Sequence, residues 1–318
     1  RMRRDLLRAG TLANGVKVVR VGIGSSFDKW LFPFVAPFAV RRLRPQVVHA
    51  VLESFAGLAM VFCRFLCPSA KRILTCQSTN TSFLVGLMHR AADHVTVISS
   101  VLLERANGFG KEAALIPNGI DGRAIAEACA LFPKVPGRVL FVGRLEPMKG
   151  VDTLLAALAS LTPGPSPAGR GEHLRIVGDG SLRKELAAQA ARLGIADRVT
   201  FVGYVPVPAV YGEFAQAEIF VGLSRSEALG NVFLEAQAAG CAVIGTKVGG
   251  IPDIVEDGVT GMLVPPDDAE AARTAIERLL QSSDERSRLA TAGKDHAKHY
   301  DWDAITERYA QIYIEALR

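Results

Sequence analysis

The sequence predicts an α/β protein of two domains. Three observations predict it. First, apolar strand-like runs alternate with helical runs through the second half: VLFVG, LRIVG, VTFVG, IFVGL, CAVIGT and GMLV. Strands separated by helices pair in parallel, with helices on both faces of the sheet. Second, 318 residues suit two domains of ordinary size. Third, 49% apolar against 22% charged residues supports well-buried cores and excludes a disordered chain.

The first half opens on NGVKVVRV, with Gly22 and Gly24 just beyond it. No apolar helix follows these glycines at once, so they make no dinucleotide fingerprint. WLFPFVAPFAV, Trp30 to Val40, is the most apolar short run. It is too short to cross a membrane and holds Pro33 and Pro37. We read it as the buried face of a helix ahead of the strand PQVVHAV, with docking to an interface or a partner as the other reading. His49 ends that strand, either as a satisfied rim histidine or as a group touching substrate. The interdomain connection is placed between Leu115 and Arg138, where Pro117–Gly119 and Pro133–Gly137 carry turn signals. The expected domains are 1–135, 136–300, and a final helix in 301–318.

RVLFVGRLEPMKG, Arg138 to Gly150, is a strand ending in Gly143, with Arg144 and Lys149 on the turn that follows. Arginine offers a planar fork and lysine a mobile point charge, which suits a phosphate; two solvated surface cations fit as well. A Pro/Gly-rich insert, Thr162 to Gly171, forbids helix or strand and carries no chemistry. LRIVGDGSLRKEL follows as strand, turn and helix. Gly178 and Gly180 either bring backbone close to a ligand or make a tight turn, and Arg183 stands where a dinucleotide motif needs its third glycine.

SEALGNVFLEAQAA, Ser226 to Ala239, is the most informative stretch. Glu227 and Glu235 lie eight residues apart around Gly230–Asn231, after the strand AEIFVGLS and before a helix. A helix start after glycine exposes unpaired N–H groups and the positive end of the dipole, a site for a diphosphate. Glu235, about one turn in, can reach hydroxyls carried by that phosphate, or simply favours the dipole. The last helix, about Trp302 to Leu317, has Ile305, Tyr309, Ile312 and Leu317 at near-helical spacing.

VGRLEPMKG, IVGDG, VTFVGYV, the SEALGNVFLEA glutamate pair and GGIPDIVEDGVTGMLVPPDD stand here in that order. Together they resemble the family 4 glycosyltransferases, retaining enzymes of the GT-B fold, from about Gly15 to the C-terminus. The resemblance implies two Rossmann-like, doubly wound parallel-sheet domains. It implies that Arg144 and Lys149 hold the donor diphosphate, with backbone donors from Gly230, Asn231 and Val232. Glu235 would bind ribose hydroxyls, Glu227 the sugar or a phosphate, and the loop at Tyr204–Val205 the base. The last helix would cross back to the first domain.

Two departures accompany the resemblance. The chain enters well inside the family's first domain, without the opening strand, glycine-rich turn and first helix. The chain is therefore expected to be a fragment, or one with an unusually reduced first domain, with little or no transferase activity although it still holds the donor. Gln77, in RILTCQSTN, stands where many members have a histidine proposed to face the sugar. It hydrogen-bonds but is no general base near neutral pH. A retaining transfer assisted by the leaving diphosphate does without that base, and His49 is the other candidate. Asp301-Trp302-Asp303 reads as D-x-D, a manganese signature of a different glycosyltransferase fold. Capping aspartates at the final helix explain it better, so no metal is expected.

Charge divides unevenly: residues 1–135 hold 18 Lys/Arg against 8 Asp/Glu, and residues 136–318 hold 19 against 24. Arg1, Arg3, Arg4, Arg8, Arg41, Arg42 and Arg44 supply much of the basic half. Such a half attracts anionic membrane lipid or a phosphorylated acceptor, or is a solvated face. Nucleic acid is not expected, for want of an aromatic-interleaved basic motif. The five cysteines have no zinc spacing and read as buried, reduced thiols of a cytosolic protein; no signal peptide is read. The expected activity is metal-independent transfer of a sugar from a UDP- or GDP-sugar, with no other cofactor. The acceptor is a glycan, a lipid-linked or a small molecule, met in the cytoplasm or peripherally at the inner face of the membrane. The rivals are a non-catalytic nucleotide-sugar-binding chain and a sugar-nucleotide epimerase.

Overall fold

The computed structural model describes residues 10–11, 17–19, 21, 25, 27–79, 84–161 and 173–318. Gly22, Gly24, the first four arginines and the Thr162–Gly171 insert lie outside the described residues. Two compact units form: residues 1–116 with 308–318, and residues 117–307.

In the first unit, β1 (Gly10–Thr11) and β2 (Lys17–Val18) pair antiparallel. The main sheet has four parallel strands in the order β3 (Val47–Val51), β4 (Lys71–Cys76), β5 (His94–Val97) and β6 (Ala113–Leu115). β4 is buried along Ile73, Leu74, Thr75 and Cys76, as a central strand with covered faces must be.

Helices α1 (Asp28–Leu43) and α2 (Phe55–Leu66) pack together, with Trp30 edge-on to Phe55 and Phe34 against Phe62. The run Trp30–Val40 does not form a buried face. Pro33, Ala36 and Pro37 are the buried positions of α1, while Trp30, Leu31, Phe34, Val35 and Phe38 are exposed. The small, compact residues are the buried ones, and the large ones stay exposed even where Trp30 and Phe34 touch α2.

The second unit is a six-stranded parallel sheet. Its order is β12 (Met262–Val264), β11 (Ala242–Thr246), β10 (Ile219–Gly222), β7 (Arg138–Val142), β8 (His173–Val177), β9 (Val199–Gly203). All six match strand-like runs of the sequence. The core runs through Val139, Phe141, Leu174, Ile176, Ile219, Val221, Ala242 and Ile244. Those residues alternate along their strands, so the opposite face is covered by other helices.

Residues 117–135, grouped with the first domain from sequence, pack in this unit. Lys134 explains part of this. Its ammonium donates to the carbonyls of Phe214, Ala217 and Ala239, at 3.3, 2.6 and 2.9 Å. These oxygens lie at the ends of α8 (Tyr211–Gln216) and α9 (Asn231–Ala238), where a cation opposes the negative dipole end. The final helix, α13, runs Trp302–Leu317 and buries Ile305 and Ala316, whereas Leu317 is exposed. Its residues 308–318 count with the first unit.

Candidate functional site

The strand order of the second unit reverses between β7 and β10, which are neighbours in the sheet. In open parallel sheets the crevice for a ligand opens at the carboxyl ends of the strands at such a reversal. Arg144 and Lys149 leave β7 there, and Ser224 to Glu227 leave β10.

Two close approaches shape this crevice. Gly150 has φ +62, and a Cβ on it would lie 2.0 Å from the Leu223 carbonyl oxygen. Only glycine lets the Lys149 turn lie against the end of β10. Gly178 has φ +135, and its Cβ would lie 1.9 Å from the Gly143 carbonyl oxygen. The Gly-Asp-Gly turn is therefore required by packing between the loops after β7 and β8.

Lys149 Nζ donates to Glu227 Oε2 at 2.5 Å, joining the two loops. Both side chains are largely buried. Ser224 Oγ lies 3.5 Å from the same oxygen. The backbone of Glu227 is seated by the GGIPD motif, where the Gly250 amide donates to its carbonyl at 3.2 Å. Arg144 is exposed, and its charge helps to lower the pKa of the Glu146 carboxyl, after the hydrogen bonds from Ser181.

α9 begins after Gly230, so the N–H groups of Asn231 and Val232 precede its first internal bond. The Asn231 side chain accepts from Asn118 Nδ2 at 3.3 Å. Glu235 sits in the same helix, partly buried. Burial raises its carboxyl from 4.5 to about 7. Burial raises the Tyr211 phenol to about 12, and the charges of Glu235 and Asp121 add to it.

A cavity of about 330 Å³ opens beside Arg144, lined by Val142, Gly143, Val177, Gly178, Asp179, Tyr204 and Val205. It is walled by the loops after β7, β8 and β9, and has the apolar character that suits the flat face of a base. Arg144, Gly178, Tyr204 and Val205 are thus brought together around one cavity, while Lys149, Glu227, Gly230 and Asn231 meet around the ends of β7 and β10.

Arg225 escaped the sequence reading. It donates to both Asp152 oxygens, at 3.0 and 2.7 Å, and to Asp267 at 2.6 Å. Its amide donates to the Met148 carbonyl at 2.8 Å. It therefore ties the turn bearing Lys149 to the loop bearing Glu227. Its partners lie 73 and 42 residues away, which no local pattern announces.

In the first unit, both ring nitrogens of His49 are engaged. Nδ1 meets Tyr313 Oη at 2.7 Å and Nε2 meets Thr75 Oγ1 at 2.6 Å. Burial lowers the pKa of its imidazole. This bonding gives His49 a structural task. Gln77 is half-buried directly after β4, at the carboxyl end of that strand.

Asp301 accepts from the Asp303 amide at 3.0 Å and from the Gly122 amide at 3.1 Å, as a capping and bridging carboxylate. Among the described residues, Glu53, Cys76 and His89 form the one group with metal-ligand atoms in mutual reach. There Arg105 is ion-paired with Glu53, so a cation of the protein already balances the carboxylate. All five cysteines are free thiols, four of them buried.

The second unit is a doubly wound parallel sheet, with Lys149 and the start of α9 at its strand reversal and a cavity beside it over the ends of β7, β8 and β9. The family model for glycosyl transferases group 1 matches residues 128–296. The chain belongs to that glycosyltransferase family, of the family 4 type. A D-inositol 3-phosphate glycosyltransferase of Streptomyces griseus is 37% identical over 225 residues, 68% of this chain and 48% of that protein. A phosphatidyl-myo-inositol mannosyltransferase of Mycobacterium leprae is 31% identical over 209 residues, 64% of this chain and 54% of that protein. The chain spans about half the length of these curated relatives. Among solved structures, a sucrose-phosphate synthase from Thermosynechococcus elongatus aligns with a TM-score of 0.81 at 25% identity, over 96% of this chain and 85% of that one. Anabaena HepE, in complex with UDP and glucose, aligns at 0.75 and 20%, over 90% and 83%. The shared architecture is GT-B, with the smaller sheet in the N-terminal unit.

Proposed function

We propose that this chain binds a nucleoside diphosphate sugar in its second unit and serves its transfer to an acceptor, with retention and without a metal. The observation that carries this reading is the convergence of Lys149, Glu227 and the start of α9 where the strand order reverses.

In this reading Arg144 and Lys149 hold the diphosphate, with the amides of Gly230, Asn231 and Val232 on its other side. Glu235 takes the ribose hydroxyls, and Tyr204 and Val205 lie along the base. The bond from the anomeric carbon to the diphosphate oxygen breaks, and a bond to the acceptor oxygen forms on the same face. The acceptor's proton passes to the departing diphosphate, whose charge the two cations and the helix amides stabilise. Glu227 orients the sugar or a phosphate, and Gln77 donates a hydrogen bond to the sugar.

The acceptor is a glycan, a lipid-linked or a small molecule, in cell-envelope or glycolipid synthesis. The relatives named for inositol phosphate and phosphatidylinositol, and the basic residues 1–135, favour a phosphorylated one. The place of action is cytoplasmic, peripheral at the inner face of the membrane. Titration calorimetry with UDP and GDP tests the donor assignment. Binding of either is expected, and no heat from either at millimolar concentration overturns it.

A further inference from the structure

Arg225 lies on the loop after β10, just ahead of Glu227. Its guanidinium engages all of its N–H donors inside the protein. Nε donates to Asp267 Oδ1 at 2.6 Å. Nη1 donates to Asp152 Oδ1 at 3.0 Å and to the Pro147 carbonyl. Nη2 donates to Asp152 Oδ2 at 2.7 Å and to Thr153 Oγ1 at 3.4 Å. The Arg225 amide adds a bond to the Met148 carbonyl at 2.8 Å. A guanidinium has its donors in one rigid plane and accepts nothing, so this one has no donor left for a phosphate.

These bonds bracket Lys149. Pro147 and Met148 precede it in the turn Pro147–Lys149, and Asp152 follows it in the first turn of the helix Val151–Ala159. The helix start favours that carboxylate and fixes where it stands. The lysine stem is long and flexible, so the place of its ammonium follows from where the turn is held. Glu227, the partner of Lys149, is on the same loop as Arg225. One side chain therefore sets the separation of the two loops whose charges meet. Asp267 has φ +58, a left-handed conformation uncommon outside glycine, so the loop after β12 makes its bond at a local backbone cost. Stability does not explain this arrangement. The Arg225 and Asp152 side chains are 30 and 42% exposed and that of Asp267 58%, and ion pairs so open to water add little to folding.

We propose that Arg225 is a positioning residue of the donor site: it touches no ligand and holds the turn that aims Lys149 at the diphosphate. On the donor reading above, the effect of Arg225 on nucleotide affinity passes wholly through Lys149.

A double-mutant cycle of nucleotide affinity tests this, by calorimetry on the whole chain with UDP or, where it binds more tightly, GDP. Lys149→Ala should weaken binding at least about tenfold. Arg225→Ala should weaken it about tenfold, and Arg225→Lys as much, because an ammonium cannot replace the fork. In the Lys149→Ala background, Arg225→Ala should add less than about twofold. Asp267→Gly keeps the left-handed backbone accessible and removes one carboxylate. It should lose about threefold, with the same dependence on Lys149, and it carries the cycle if Arg225→Ala fails to fold by circular dichroism. Arg278, in the last turn of the helix Ala269–Gln281, makes a comparable pair with Glu285 at 2.6 and 2.7 Å. Arg278→Ala should leave nucleotide affinity unchanged. An equal loss in both Lys149 backgrounds overturns the proposal, since Arg225 then acts on the ligand or the fold by another route. So does an equal loss in Arg278→Ala. Parent-like binding by Arg225→Ala overturns it too, and spares the donor reading when Lys149→Ala still weakens binding. No binding of UDP or GDP by the parent chain overturns the donor reading and this proposal with it.

Discussion

Lys149 and Glu227 close an ion pair of 2.5 Å between the turn after β7 and the loop after β10, both largely shielded from water. The pair sits where the sheet reverses its strand order. It holds the Lys149 side chain in place at the crevice. On the proposed reading, a donor diphosphate would compete with the Glu227 carboxylate for this ammonium.

Replacing Lys149 by alanine leaves the partly buried Glu227 carboxylate without this partner and, on the proposed reading, removes a contact to the diphosphate. Nucleotide affinity should fall by about 1.5–3 kcal/mol in calorimetry. Glu235→Ala should weaken binding to a similar degree with the chain still folded. If both variants bind as the parent does, these residues are ordinary surface charges.

Glu235 links binding to pH. Its carboxyl titrates near 7 in the fold, against 4.5 when solvated. The folded state thus holds a proton that the unfolded state releases. Its contribution to stability is full below about pH 4.5 and is lost as pH rises to about 7. Ribose hydroxyls donate best to the ionised form, so affinity runs the other way. A UDP-sugar, which has no terminal phosphate to titrate, should bind more tightly at about pH 8 than at about pH 6. Glu235→Gln should flatten that profile; a profile unchanged in the variant assigns the titration elsewhere.

Gly150 reports on the seam beneath the site. An alanine methyl would meet the Leu223 carbonyl oxygen at 2.0 Å. Gly150→Ala should cost about 3 kcal/mol or more in denaturant unfolding. Gly240 also has a positive φ, +71, but opens to space. Gly240→Ala should cost only about 1 kcal/mol, which separates the close approach from the backbone penalty.

His49 should matter to the first unit's stability and not to nucleotide binding. Tyr313→Phe removes the partner of Nδ1 and should cost about 1 kcal/mol, with UDP affinity unchanged. Burial lowers the histidine's pKa from 6.5, so the unfolded chain takes the proton first as pH falls. The stability from this group is present above about pH 6.5 and is lost as pH drops through the lower, folded value. Weakened UDP binding in Tyr313→Phe would count against a purely structural role.

Much of the second unit was legible in the sequence. Each of its six strands is a short apolar run closed by a turn signal, and alternation with helices dictates parallel pairing. The candidate residues were legible for the same reason, since strand, glycine and cation, or strand, glycine and helix, are contiguous patterns. Their companions were not. The partner of Lys149 lies 78 residues away, and those of Arg225 lie 73 and 42 away. The choice among many carboxylates is made by which loops the sheet order sets side by side.

The sequence by itself determined the element types of this protein, the class of its second unit and the glycine-rich turns that close its strands. These depend on periodicity and backbone chemistry within a dozen residues. Only the tertiary structure decided that β7 neighbours β10, that residues 117–135 pack with the second unit, and that His49 is held by Thr75 and Tyr313. It alone decided which face of α1 is buried. The hydrophobic pattern marks a helix with apolar groups nearly all round, and burial then goes to the side whose shape fits its neighbour. On α1 that side is two prolines and an alanine, while the aromatic side stays exposed, with Trp30 and Phe34 resting on Phe55 and Phe62 of α2.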